Sequence, residues 1–420
     1  MFNSITRLNN GLRLVHQKIE GVRSVAICVL TRAGSINEDF ENNGISHYIE
    51  HMMFKGTEKR SSFEIVKEIA GLGAQVNAFT SKENTCYYIV TVDDYVDECM
   101  EILSDLYFNS KFDSEEMERE KGVVLEEIAM SIDTPDDLCL ENLNTKYYEG
   151  HSLGKTILGP SENIKKFKRK DIKTYLKENY RADNSVVCLV GNIELDKAKD
   201  LAEKYFAKNY SASEKQNIIL PEHYSKNGEV IVEKDLEQAN IAFDFPSYRF
   251  GHEKEMAGMV FNTIFGSGMS SRLFQEVREK LGLCYSIYSY PSAYSCTGDF
   301  CIYLGTNTDT SKKAIEVVRD EIKNVVKNGL TLEEIERGKR QLKGAYVLSQ
   351  ESTSSIMRVA SRSALLLDKP FDLNEKVSKI DSVTIDDIKE VIEYIFDFER
   401  VVASYVGKAI SYSPLEIMKG

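Results

Sequence analysis

The apolar residues of this chain follow two different spacings. Short apolar runs, such as VAICVL at 25–30 and SVVCLVG at 185–191, have the length of buried strands. Longer segments, such as 114–132 and 310–329, place their apolar residues three to four positions apart, which is typical of helices with one buried face. The pattern therefore predicts strands and helices interleaved along the whole chain.

The predicted elements occur in a similar order in the two halves of the chain. For the first half, the pattern predicts strands at 11–19, 24–35, 75–92 and 185–193, and helices at 44–57, 61–73, 93–108, 114–132, 168–180 and 195–209. For the second half, it predicts strands at 228–235, 239–246 and 401–407, a strand pair or one interrupted strand at 284–306, and helices at 253–268, 270–282, 310–329, 331–350 and 385–396. The shared order indicates an internal duplication.

The duplication predicts the fold class. We expect an α+β protein of two homologous α/β domains, each a mainly antiparallel sheet packed with helices. The predicted domains are 1–210 and 229–420, and the polar stretch 211–228 is predicted to be a linker. Two unrelated α+β domains are the alternative, but they do not account for the match of EEMER at 115–119 with EEIER at 333–337.

Composition disfavours several classes of protein. The chain has 420 residues and a formal net charge of −13, which disfavours sequence-independent binding of nucleic acid. No apolar run approaches the ~18–20 residues of a membrane span, and no signal peptide is readable. The eight cysteines lack CxxC spacing, which disfavours a disulfide framework and a thiolate zinc site. We expect a cytoplasmic protein that binds neither nucleic acid nor membrane.

The segment with the clearest chemistry is HYIEH at 47–51. His47 and His51 are four residues apart, so on a helix their imidazoles share one face and can hold a metal ion. Glu50 lies at the edge of that face and can reach a metal-bound water without being a ligand. Two neutral imidazoles suit zinc, and the HxxEH order is that of inverzincins. Because the chain has only 6 histidines, two unrelated surface histidines are the weaker interpretation.

A catalytic zinc needs a third protein ligand and an open position for water. The predicted helix 114–132 offers several carboxylates, among which Glu120 and Glu127 lie two turns apart on one face. In the second half, the matching positions carry residues unsuited to zinc, namely Gly258, Phe261, Asn262, Gly338 and Ala345. We therefore expect a single functional site, in the first half of the chain.

The sequence resembles the pitrilysin/insulinase family of zinc peptidases, in particular the short type that includes mitochondrial processing peptidase and its bacterial relatives. Besides HYIEH, the resemblance is carried by NAFTSKENTCYY at 77–88, EREKGVVLEEI at 118–128 and SRLFQEVREKLGLCYS at 271–286. It covers essentially the whole chain. It implies a zinc-dependent endopeptidase with one Zn²⁺ per chain.

The resemblance also implies roles for individual residues. His47, His51 and Glu127 would bind the zinc, and the spacing in the family selects Glu127 over Glu126 as the third ligand. Glu50 would be the general base. A supporting glutamate of the family, seven residues before the distal ligand, corresponds to Glu120.

The remaining implications concern substrate and assembly. Asn77 and Ala78 match a sheet edge along which relatives bind an extended peptide, and Arg278 and Tyr285 match an Arg–Tyr pair that holds substrate near the scissile bond. Longer relatives close two bilobal halves around a peptide. This chain has one such half, so we expect a homodimer in which Arg278 and Tyr285 act in trans on short or unfolded peptides.

Three alternatives stay open at this point. The chain could be a non-catalytic scaffold of the same fold, like core subunits of respiratory complexes, although the intact motif disfavours this. It could be the catalytic subunit of a heterodimer. It could also be a zinc-binding interaction module that holds the metal without hydrolysing peptides.

Overall fold

Helices and strands alternate along the chain in the computed structural model, which describes residues 3–207, 210 and 225–420. Residues 211–224 of the predicted linker lie outside the described residues. The strands are β1 Ser4–Arg7, β2 Arg13–Lys18, β3 Ser24–Thr31, β4 Gln75–Thr80, β5 Thr85–Val92, β6 Ser185–Gly191, β7 Gly228–Glu233, β8 Gln238–Ser247, β9 Cys284–Ala293, β10 Gly298–Asn307 and β11 Val402–Gly407.

The helices carry most of the remaining described residues. The α-helices are α1 Ile45–Met52, α2 Ser62–Gly71, α3 Val96–Asn109, α4 Ser114–Asp133, α5 Pro135–Tyr147, α6 Ser161–Lys166, α7 Arg169–Asn179, α8 Leu195–Ala202, α9 Glu255–Phe265, α10 Thr308–Asn328, α11 Leu332–Ser349, α12 Thr353–Leu367, α13 Leu373–Asp381, α14 Ile385–Ile395 and α15 Pro414–Lys419. Short 3₁₀ or π segments lie at Ser35–Asn37, Asp93–Tyr95, Ser152–Gly154, Glu203–Ala207 and Phe274–Lys280. Within the described residues, none of the helices has both the length and the apolar character to cross a membrane.

The chain divides into two compact units, each built from three segments. The first unit comprises Met1–Ile128, Lys155–Ile218 and Val347–Leu373. The second comprises Ala129–Gly154, Ile219–Tyr346 and Asn374–Gly420. Each unit contains one sheet.

The two sheets have the same topology. In the first unit, the strand order is β1-β2-β6-β3-β5-β4, and in the second it is β7-β11-β8-β10-β9. If the extra strand β1 is set aside, the second order repeats the first, strand for strand. Each sheet has one parallel pair, β2 with β6 and β7 with β11, and its other pairs are antiparallel. The predicted fold class of two similar α/β domains with mainly antiparallel sheets is therefore confirmed.

Each sheet is covered by a helix from the other half of the sequence. In the first unit, α12 packs Ile356, Met357 and Ala360 against one face of the sheet. In the second unit, α5 buries Cys139 and Leu143, and the Cys139 thiol lies 3.3 Å from the carbonyl oxygen of Asn240 on β8. Central strands such as β3 and β6 are therefore buried on both faces, which explains their unbroken apolar runs.

One predicted element is wrong in its length. The predicted strand 75–92 is a hairpin, in which β4 and β5 are joined by a tight turn. The backbone N–H of Ser81 donates to the carbonyl of Asn84 (2.8 Å), and the backbone N–H of Asn84 donates to the hydroxyl of Ser81 (3.1 Å). The turn is made by Ser81 and Asn84, with no glycine or proline, so its signal in the sequence is weaker than that of a glycine or proline turn.

Candidate metal centre

Helix α1, which carries the HYIEH motif, begins at a buried acidic cap. Gly44 precedes it with a φ of 99°, a left-handed conformation that favours glycine, and a Cβ there would lie 2.6 Å from the carbonyl oxygen of Leu158. The Glu38 carboxylate accepts hydrogen bonds from the backbone N–H groups of Gly44 (2.8 Å) and Ser46 (2.9 Å). These donors have no partner within the helix, so the cap fixes where the helix starts and which way its histidines face.

The structure brings together the two histidines of α1 and Glu127 of α4. One potential ligand atom from each of His47, His51 and Glu127 lies within 4.8 Å of the other two. The Glu127 carboxylate oxygen Oε2 is 3.7 Å from His47 Nε2 and 3.5 Å from His51 Nε2. Ligand atoms placed tetrahedrally at ~2.0–2.1 Å from zinc are about 3.3 Å apart. The spacing and the N, N, O donor set therefore fit a zinc ion with its fourth position open.

The two imidazoles have different electrostatic surroundings. Burial, with the neighbouring His51, lowers the pKa of His47 to about 4, so its ring is neutral near pH 7. Burial also favours the neutral form of His51, but the hydrogen bond to Glu120 and the charges of Glu127 and Glu120 outweigh it and raise the pKa of His51. A neutral His47 is ready to bind a metal, whereas at His51 a metal competes with a proton that the neighbouring carboxylates stabilise.

Glu120 contacts the ring nitrogen of His51 that does not face Glu127. Its Oε1 lies 2.8 Å from His51 Nδ1, and its Oε2 lies 2.6 Å from Lys55 Nζ. Burial favours the neutral carboxyl, but the hydrogen bonds with His51 and Lys55 outweigh it and lower the pKa of Glu120. An ionised carboxylate on Nδ1 directs the Nε2 lone pair of His51 toward Glu127, which is how carboxylates orient metal-binding histidines.

Glu50 stays out of the ligand cluster. Its carboxylate Oε2 instead accepts a hydrogen bond from the hydroxyl of Thr80 at 2.6 Å. Burial raises the pKa of Glu50, and the hydrogen bond from Thr80 opposes that rise. A carboxylate with a raised pKa beside a metal cluster is suited to accepting a proton near neutral pH.

Strand β4, which ends at Thr80, is an edge strand of its sheet. Asn77 and Ala78 lie on it, paired on one side with Tyr88 and Tyr87 of β5. The Asn77 side-chain oxygen accepts from the backbone N–H of Ala78 at 2.8 Å. Since β4 is last in the strand order, its other side offers backbone groups that none of the described strands pairs with.

Arg278 and Tyr285 lie together in the second unit. The Arg278 guanidinium is 5.5 Å from the centre of the Tyr285 ring and 4.6 Å from that of Phe274. Tyr285 is 76% exposed, and it lies on β9, the edge strand of the second sheet. The pair is thus preassembled, with its aromatic ring open to solvent.

Sequence reasoning missed Thr80, Lys55 and Glu38. Thr80 lies inside the segment 77–88 and Lys55 lies just after the HYIEH motif, but threonine and lysine are common residue types with no spacing rule for these roles. Thr80 and Lys55 become visible only because the fold brings them to Glu50 and Glu120, which are distant in sequence. Glu38 lies only six and eight residues from the N–H groups that it caps, but it precedes the helix by more than the usual capping distance.

Comparisons with known proteins identify the family to which the sequence is similar. Residues 13–161 match the sequence profile of the insulinase family (peptidase family M16), and residues 166–342 match the profile of the M16 inactive domain. The Bacillus subtilis (strain 168) protein named uncharacterized zinc protease YmxG is 38% identical over 394 residues, covering 94% of this chain and 96% of that protein. The beta subunit of the mitochondrial-processing peptidase of Bos taurus is 32% identical over 411 residues, covering 95% and 83%.

Solved structures share the fold. A peptidase M16 inactive domain from Pseudomonas fluorescens superposes with a TM-score of 0.92 at 20% identity, covering 98% of this chain and 99% of that one. A protease from Helicobacter pylori gives 0.90 at 23% identity, covering 96% and 99%. Together with the matching profiles and the relatives above, the fold and the sequence establish that this chain belongs to the insulinase family, peptidase family M16, as one of its short members.

Proposed function

We propose that this chain is a zinc-dependent endopeptidase. The observation that carries the proposal is the His47, His51 and Glu127 cluster, whose spacing suits one Zn²⁺ with an open position. Its family membership supports the same proposal, as do the names of its relatives, several of which are called zinc proteases. We also propose a cytoplasmic location, from the cysteine spacing.

The chemistry divides between the metal and the protein. Zinc held by the three side chains would supply Lewis-acid activation of water and of the scissile carbonyl. Glu50 takes the proton of the attacking water and passes it to the leaving amine. The Thr80 hydroxyl donates a hydrogen bond to Glu50 Oε2 at 2.6 Å, so the other carboxylate oxygen, Oε1, receives that proton. Glu120 keeps His51 in the tautomer that presents Nε2 to the metal.

The substrate we propose is an extended peptide added to the free edge of β4. Backbone pairing binds peptides with little demand on their side chains, which suits short or unfolded chains. Thr80 lies on this strand and holds Glu50, so a peptide beside Asn77 and Ala78 lies next to the proposed base. Arg278 and Tyr285 offer a cation and a hydroxyl that would clamp the peptide or stabilise the developing oxyanion.

The assembly we propose is a homodimer that encloses the peptide, with Arg278 and Tyr285 acting in trans. The bovine relative is named as a subunit, which makes a heterodimer the competing assembly. Mixing Glu50→Gln chains with Arg278→Ala chains tests this, because each mixed dimer restores one complete site. Regained cleavage supports the homodimer, and verified mixed dimers without activity contradict the action in trans.

The function itself is tested with a quenched fluorescent peptide pool and metal analysis. We expect the wild type to cleave, and Glu50→Gln to hold zinc but lose cleavage. Glu126→Gln is the matched control, because it makes the same chemical change on an exposed residue of α4 that takes no part in the cluster. Zinc retention without cleavage of any peptide by the wild type would favour the non-catalytic scaffold or binding module, unless a partner chain restores activity.

A further inference from the structure

The first unit has a cleft that lies outside the residues of the metal cluster. It lies between the first turns of α4 and the junction of α6 with α7, and its volume is about 480 Å³. This volume lies in the usual range of small-molecule sites, ~300–1,000 Å³. The lining residues are Ser114, Met117, Glu118, Lys121, Lys165, Lys166, Phe167, Lys168 and Arg169.

The cleft is strongly basic although the protein is acidic. Five of its nine lining residues are cationic and one is acidic, in a chain with a net charge of −13. The ammonium groups of Lys165, Lys166 and Lys168 have no hydrogen-bond or ion-pair partner in the described part of the chain, and all three residues are exposed. Because these three ammonium groups form no ion pair with the nearby carboxylates, they repel one another, and an anion between them would be stabilised.

The floor of the cleft is held in place. Lys121 is 7% exposed, and its Nζ donates to Glu118 Oε1 (2.7 Å) and to the carbonyl of Lys165 (3.2 Å). Arg169 donates through Nε to the carbonyl of Lys111 at 2.9 Å. Arg169 is also the first residue of α7, whose dipole favours negative charge at this end, where the Asp171 carboxylate accepts the backbone N–H of Lys168 at 2.9 Å. Two cations that are held in place, Lys121 and Arg169, therefore line the cleft.

We propose that this cleft binds a small multivalent anion. Two classes of ligand have this chemistry, the oligophosphates and the tricarboxylates. A compact ligand fits better than a long polyanion or a membrane surface, because the start of α4 adds Asp113, Glu115 and Glu116 beside the cleft and would repel an extended negative partner. Lysines act as point charges on such ligands, and Arg169 adds a planar donor.

The cleft is joined to the helix of the HYIEH motif. The Tyr48 hydroxyl of α1 donates to the carbonyl of Met117 at 2.7 Å, and the Tyr48 ring packs 5.7 Å from the ring of Phe167. Both Met117 and Phe167 line the cleft. A bound anion would thus tie α4 to the α6–α7 junction and slow local opening of α1.

Titration calorimetry of the whole protein with tripolyphosphate and, separately, citrate tests the proposal, at about 150 mM salt to screen long-range attraction. The cleft variant is Lys166→Gln/Lys168→Gln. The control is Lys173→Gln/Lys177→Gln, which removes the same charge from exposed positions further along α7. We expect saturable binding that is at least about tenfold weaker in the cleft variant and within about twofold of wild type in the control.

Hydrogen exchange supplies a second readout. The anion should slow exchange in 114–121, 165–169 and α1 of the wild type and of the control, but not of the cleft variant. Removal of zinc by the anion would affect all three proteins alike, so it cannot mimic this result. If only one of the two probes binds, it identifies the class of ligand: tripolyphosphate indicates an oligophosphate and citrate indicates a tricarboxylate. Absence of saturable binding for both, or an equal loss in the two variants, overturns the proposal.

Discussion

Replacing Thr80 with valine isolates the role of the hydroxyl that holds Glu50. Valine keeps the branched shape but cannot donate, so Glu50 Oε2 loses its 2.6 Å hydrogen bond. A hydrogen bond to a charged group is worth ~1.5–3 kcal/mol. If it orients the base in the transition state, kcat/KM should fall by about 10- to 150-fold.

The pH dependence of the variant has a defined direction. Burial raises the pKa of Glu50 and the Thr80 hydrogen bond lowers it, so removing that bond raises the pKa further. A general base works only when it is ionised. The acid limb of kcat/KM should therefore move to higher pH in Thr80→Val than in the wild type.

The assay is peptide cleavage across pH, with the zinc content measured on the same samples. We expect Thr80→Val to keep its zinc and Thr80→Ser, which retains the hydroxyl, to stay near wild type. Unchanged kcat/KM in Thr80→Val would refute the positioning role. Loss of zinc together with activity would show that Thr80 supports the metal cluster rather than the base.

Three other variants test the surroundings of the site and the second unit. Glu120→Gln weakens the acceptor on His51 and should lower zinc affinity by about 10- to 100-fold in a chelator competition, while Glu126→Gln leaves it unchanged. Gly44→Ala places a Cβ 2.6 Å from a carbonyl oxygen at a φ of 99° and should cost ~1–3 kcal/mol in urea unfolding, whereas Gly71→Ala, whose Cβ would meet nothing within 4 Å, should cost no stability. Burial, with the charge of Asp299, raises the pKa of Asp244 well above its usual range, so the stability from its protonated form is lost as pH rises through that raised value. Asp244→Asn should therefore raise the urea midpoint at pH 8 more than at pH 5, and an equal change at both values would contradict this.

The metal cluster was largely readable from the sequence, because its key relation is local. Four-residue spacing places His47 and His51 on one face of any helix, whatever surrounds it. The third ligand could not be chosen from residue spacing alone. Several carboxylates on α4 were compatible with the residue pattern, and the resemblance to a family favoured Glu127, which the fold brings beside both histidines. Its zinc-binding role stays a prediction.

The relations that could not be read from the sequence are those between distant segments. Helix α12 shows a clear apolar face, but amphipathicity says which face is buried and not which sheet covers it. Strands β4 and β5 were joined into one because the turn between them lacks glycine and proline. The contact of Thr80 with Glu50 likewise depends on how β4 lies against α1, which no local pattern encodes.

The zinc content of Glu127→Gln beside Glu126→Gln tests the central claim most directly. The two residues are adjacent on α4 and the substitution is the same, but Glu126 is exposed and takes no part in the cluster with His47 and His51. The account predicts about one zinc per chain in the wild type and in Glu126→Gln, and less than about a tenth of that in Glu127→Gln after dialysis against a weak chelator. Full zinc in Glu127→Gln, or its loss from Glu126→Gln, would contradict the assignment of the metal centre.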